Sequence, residues 1–203
     1  MAVSIKQKLK ASGLSLAVFA VAAAPIGVSA ATSSANTTIN ATVNSVISVA
    51  TSGTVPFTLT PTAGGVVSSS SDTVTVSTNN NAGYTLTLKD TDATTTLVNG
   101  ASNTIAAHSG TTATPTALTN GTWGFAVGGL GTFDATYSAE ASNPSSTSKW
   151  AGVAPSGGAA ATLKTTSSTA TSDTTQVWYA AKVNTSQPNG VYTDTVTYTA
   201  TTN

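Results

Sequence analysis

Residues 38–50 read TINATVNSVISVA, and their side chains alternate in character. In an extended strand Ile39, Ala41, Val43, Ser45, Ile47 and Val49 share one face, and Thr38, Asn40, Thr42 and Asn44 share the other, because successive side chains of a strand point to opposite sides. The same period of two returns several times. Val74 and Val76 alternate with Thr73, Thr75 and Ser77; Tyr84, Leu86 and Leu88 alternate with Thr85, Thr87 and Lys89; Trp123, Phe125 and Val127 alternate with Gly124 and Ala126. No stretch carries apolar residues at i, i+3, i+4 and i+7 between caps, which a surface helix requires. The abundant threonine is β-branched and suits strands. Such a chain buries its apolar side only by pairing strands and stacking sheets. The expected fold is therefore all-β: an antiparallel two-layer β-sandwich, jelly-roll or Ig-like, of roughly eight to ten strands.

The pattern also predicts individual elements. A short strand at 56–60 stops at Pro61, and residues 72–89 read as a β-hairpin turning at NNNAG, 79–83. Weaker strands surround Leu97 and Ile105. Residues 128–162, rich in Gly, Ser and Ala, are expected to be long loops with one strand near 133–137. Strands at 176–183 and 191–201 flank the turn SQPNG, 186–190. The predicted core is Tyr84, Leu86, Leu88, Trp123, Phe125, Val127, Val177, Tyr179, Val196 and Tyr198. No repeat of 20–50 residues is evident.

The first thirty residues have a different logic. Lys6, Lys8 and Lys10 precede an apolar run at 14–24, LSLAVFAVAAA, then Pro25, then the small residues of Val28-Ser29-Ala30. That is the pattern of a secretory signal peptide, with cleavage expected between Ala30 and Ala31. The apolar run is shorter than the ~20 residues of a membrane span. The expected organisation is a signal peptide at 1–30 and a single secreted β-sandwich domain at 31–203, with a flexible tail at 31–37 and no membrane span after cleavage. Beyond residue 30 the basic residues are Lys89, Lys149, Lys164 and Lys182, with no arginine, against the acids Asp72, Asp90, Asp92, Asp134, Glu140, Asp173 and Asp194. A chain so poor in cations lacks the electrostatic footprint of a nucleic-acid or anionic-lipid binder. It has no cysteine, hence no disulfide framework or thiolate site. With no apolar tail or sortase-type motif before Asn203, it is expected to be released, held non-covalently, or built into an assembly.

Two segments carry a family resemblance. Residues 74–88, VTVSTNNNAGYTLTL, are similar to the V-x-V-S-T-N…G-Y-x-L-x-L signature of uncharacterised secreted Thr-rich β-sandwich surface proteins of ultra-small host-associated bacteria. Residues 188–200, PNGVYTDTVTYTA, resemble the G-x-Y-x-D-x-V closing strand of spore-coat-U-like pilins. Together they cover about a quarter of the chain. The resemblance implies an extracytoplasmic sandwich that assembles or adheres. Spore-coat-U-like subunits commonly carry cysteines and this chain has none, so the architecture carries over and the assembly pathway does not.

Chemistry-bearing residues are sparse. A hydrolase needs a nucleophile, a base and an orienting acid. The lone His108 sits in AAHSG, as a solvated loop residue would, and there is no G-x-S-x-G elbow. The acids mostly occupy turns, where Asp is ordinary. No enzyme and no cofactor are expected. Asp90 and Asp92 are a calcium candidate that lacks the full D-x-[DN]-x-[DN]-G pattern, so no metal is expected. Strand parity points Trp178 outward and Trp150 lies in the loop SKWAG, so both are candidate ligand contacts. The long alternation of Ile39, Ala41, Val43, Ile47 and Val49 is either the domain's own first strand or a donor strand that completes a neighbour's sheet. The leading expectation is a non-enzymatic extracellular structural or adhesive protein, with a self-assembling, pilin-like subunit as one form of it, and other copies of itself or a cell-surface protein or glycan as partners. The alternative is a carbohydrate-binding module, and a secreted hydrolase stands third.

Overall fold

A computed structural model describes residues 29–100, 102–131, 133 and 149–203. The signal-peptide expectation for residues 1–28 and most of the strand expected at 133–137 lie outside them. The chain divides into two units, Met1–Thr42 and Val43–Asn203. Of the first unit, residues 29–42 are exposed and carry no regular secondary structure.

The second unit is all-β. Its nine described strands are β1 (Ile47–Ala50), β2 (Val66–Thr78), β3 (Tyr84–Asp90), β4 (Leu97–Val98), β5 (Thr104–Ala107), β6 (Thr122–Val127), β7 (Ala161–Thr165), β8 (Ala170–Val183) and β9 (Val196–Thr202). They form two sheets, one ordered β1-β2-β8-β6-β5-β4 and one ordered β7-β3-β9. All named pairs are antiparallel except β5 with β6. Period-two patterning fixes which face each sheet turns inward. Val74, Val76, Val177 and Phe125 from the larger sheet and Tyr84, Leu86 and Leu88 from the smaller join one buried cluster. The Tyr179 and Tyr198 hydroxyls meet at 2.7 Å between the sheets, and Tyr84 donates to Asp173 at 2.8 Å.

Of the predicted core, Tyr84, Leu86, Leu88, Trp123, Phe125, Val127, Val177 and Tyr179 are buried. Val196 and Tyr198 are only half-buried, because β9 is an edge strand paired on one side alone, with β3.

The hairpin expected at 72–89 is corrected, and the turn at 186–190 behaves in the same way. β2 and β3 lie in different sheets, as do β8 and β9, so NNNAG and SQPNG carry the chain across the sandwich instead of turning it back along one sheet. Gly83 makes the first crossing possible. Its φ is +83°, and an added Cβ would collide with the Thr166 carbonyl. The strand expected at 56–60 is also absent: Val55, Phe57 and Leu59 alternate as half-buried residues packed on the core, without ladder bonds. Residues 128–162 are not loop throughout. Ala151 pairs with Phe125 of β6, and β7 begins at Ala161.

Candidate functional site

The chain's entry into the sandwich is built by the STNN part of the motif at 77–80. Thr78 donates its hydroxyl to the Val46 carbonyl at 2.7 Å. The Asn79 side chain accepts from Val46 N at 2.8 Å and donates to the Asn44 carbonyl at 2.9 Å. Asn80 donates to the carbonyls of Gly83 and Asn203, at 3.0 and 2.9 Å. Short amide side chains can satisfy both a donor and an acceptor of a passing backbone, which explains why asparagines are stacked here.

The donor-strand candidate divides at this clamp. Ile47 and Val49 belong to the domain's own β1, paired with Thr78 and Val76 of β2. Of the two alternatives for residues 39–49, the domain's own first strand holds for Ile47 and Val49 alone, and the segment is not one continuous strand. Ahead of the clamp, Ile39 is 89% exposed and Val43 83%, and Ala41 is exposed as well; Val46, held in the clamp by its backbone, leaves its side chain 64% exposed. An apolar alternation is thus displayed without cover.

A second feature lies along β1. β1 and β9 are edge strands of opposite sheets and are neighbours in space. Along this seam the inward-facing residues are incompletely covered. Val49 is 41% exposed although its cross-strand partner Val76 is fully buried, and Val196, Tyr198 and Ala200 are half-buried. Asp72 lies nearby at 4% exposure, and accepts from the backbone and hydroxyl of Ser52 at 2.9 and 2.5 Å. Those bonds tie down the chain just past β1. A further groove of about 400 Å³ is lined by Val46, Ile47, Ser48, Thr78 and Ala170 among others.

The two tryptophan candidates fare differently. Trp178 lies on the outer face, between Ser71 of β2 and Ala126 of β6, and is half-buried. It lines a cleft of about 640 Å³ with Val127, Leu130, Lys164, Thr174 and Gln176. Trp150 is corrected: it is 1% exposed. Its backbone exchanges hydrogen bonds with Thr116 at 3.1 and 2.8 Å, and the adjacent Ala151 does the same with Phe125, so Trp150 and Ala151 are drawn into the fold. His108 is also corrected. It is buried, its Nε2 sits 2.8 Å from the Thr116 hydroxyl, and burial holds the imidazole below its usual pKa.

Asp90 and Asp92 stack as successive turn caps. Asp90 accepts from Asp92 N at 2.9 Å and Asp92 from Thr94 N at 2.6 Å. Among the described residues no group of three His, Cys, Asp or Glu side chains is arranged to hold a metal. Asp194, which the sequence reading did not single out, lies against Asp90. Burial, with the facing Asp90 and Asp92 carboxylates, pushes its pKa up to about 6 against the lowering effect of the Thr195 N–H. Its signal in the sequence was strand parity: it precedes Val196 by two and so turns inward beside Asp90, the cross-strand partner of Val196. No described helix is long and apolar enough to cross a membrane. Comparison with protein-family models, curated proteins and solved structures returns no match.

Proposed function

We propose that this chain is an exported, non-enzymatic surface subunit that acts by contact and associates with copies of itself through the segment preceding β1. One observation carries the reading: Ile39, Ala41 and Val43 alternate along a segment left exposed, in a molecule whose β1/β9 seam is incompletely covered. Apolar side chains so displayed are unfavourable in water and favour a partner surface. An extended segment can supply one by adding as a strand, with backbone bonds giving affinity and alternate side chains filling pockets. Addition to a neighbour, repeated head to tail, gives a filament when the rotation does not close. The motif at 188–200 supports the same reading through its resemblance to pilin closing strands, and the 1–30 pattern supports export.

The test compares residues 31–203 with a chain starting at Val46, which keeps β1. The longer protein is expected to form concentration-dependent oligomers by analytical ultracentrifugation and filaments by electron microscopy. The shorter one should be monomeric and should bind a peptide spanning 36–46. If both stay monomeric at high concentration, self-assembly is wrong.

A second reading, carbohydrate binding, draws on Trp178 and its cleft, where an aromatic face stands beside the polar Gln176, Lys164 and Thr174. Glycan-array binding lost in Trp178→Ala would favour it.

A further inference from the structure

We propose that Asp90 and Asp194 form a calcium-binding site at the end of the β3–β9 ladder, completed by backbone carbonyls and water. Asp90 closes β3 and is 0% exposed. Its Oδ1 accepts from Asp92 N at 2.9 Å, but its Oδ2 is buried with no donor. Asp194 repeats this arrangement. One oxygen accepts from Thr195 N at 2.7 Å, and Oδ2 is buried with no donor. The two side chains lie within hydrogen-bonding reach of each other, and Asp92 adds its field.

Two buried carboxylate oxygens without donors are costly unless a cation or proton stands between them. Among the described residues the one ion pair is Lys164–Asp173. Lys89, on β3, spends its ammonium on the Ser156 carbonyl at 2.9 Å.

The surroundings suit a hard cation. Three segments converge here: Asp90 N bonds to the Ala154 carbonyl, Thr91 N to that of Thr195, and Ser156 N to that of Asp92. Each of those carbonyls keeps a second lone pair. Calcium accepts mixed carboxylate, carbonyl and water ligands in flexible geometry, whereas magnesium demands a near-ideal octahedron. With only two carboxylates the site belongs in the weak range of about 10⁻⁴–10⁻³ M typical of extracellular modules.

The experiment is thermal unfolding of residues 31–203 at pH 7.5, in chelator and in calcium up to 10 mM, with magnesium as control. Calcium should raise Tm saturably, the unfolding constant falling about tenfold at ten times Kd, and magnesium should do much less. Asp194→Asn should abolish the response without lowering Tm in chelator, since it removes a like-charge contact. Equilibrium dialysis of the unmodified protein gives an independent reading, one calcium per chain. A Tm indifferent to calcium, a response retained in Asp194→Asn, or no bound calcium overturns the proposal. Indifference to calcium with a rise in Tm between pH 7.5 and 5.5 would show that the pair shares a proton instead.

Discussion

Asn79 and Asn80 stand side by side in sequence and hold opposite ends of the folded unit, residues 44–46 and residue 203. Replacing Asn79 with alanine removes two backbone contacts while leaving β1 its ladder. Each such bond is worth about 0.5–1.5 kcal/mol net, so the expected effect is a small loss of stability with faster amide exchange confined to Val46 and its neighbours. Gly83 is less forgiving. Gly83→Ala forces a side chain into positive φ and into the Thr166 backbone, and should cost about 2–4 kcal/mol in denaturant unfolding. At this scale parity was a good guide and loop composition a poor one. Trp178 lies on the outer face as its neighbours predicted, although Ser71 and Ala126 flank it and only half of it is covered. Trp150 could not be placed by parity, because the short bridges to Thr116 and Phe125 that bury it involve no alternating run.

Among elements, the apolar alternation of β3 is the most complete. Tyr84, Leu86, Leu88 and Asp90 all face inward and are buried. Leu86→Ala should therefore destabilise the domain by about 2–5 kcal/mol. The contrast is the segment ahead of β1. Its side chains are exposed, so removing residues 31–43, which leaves the Asn44 carbonyl on Asn79, should change stability by no more than about 0.5 kcal/mol, while removing 31–50 takes away a strand and should cost several times that. Equilibrium unfolding of the two truncations separates a displayed segment from a structural one. Strand identity was legible from period two, because each strand's inward face is set by local alternation. Strand partnership was not. The turns at 79–83 and 186–190 have the composition of hairpin turns, yet the alternative of crossing to the other sheet uses the same residues, and only the pairing of distant segments decides. β7 escaped notice because five residues, ATLKT, hold a single buried side chain, Leu163.

For the molecule as a whole, the join between the sheets contains an acid-sensitive contact. The Asp173 carboxyl is raised by burial but lowered more by hydrogen bonds from Lys164, at 2.6 Å, and Tyr84, so its pKa lies below the ordinary carboxylate value. A carboxylate depressed in the folded state contributes stability above its unfolded pKa of about 4 and loses it as pH falls through the folded value. Acid unfolding of Asp173→Asn should lack that part of the pH dependence, leaving a shallower limb below pH 4. The clamp has a mechanical consequence as well. Because residues 44 and 203 are gripped by adjacent asparagines, tension applied between the two ends enters and leaves the unit within a single turn. The long β2–β8 ladder stands outside that line of force. Tension on the leading segment meets first the amide bonds of Asn79 and the Thr78 hydroxyl, then the Ile47 end of β1, which lies opposite Thr78, so that β1 peels from β2 with its ladder bonds opening one at a time.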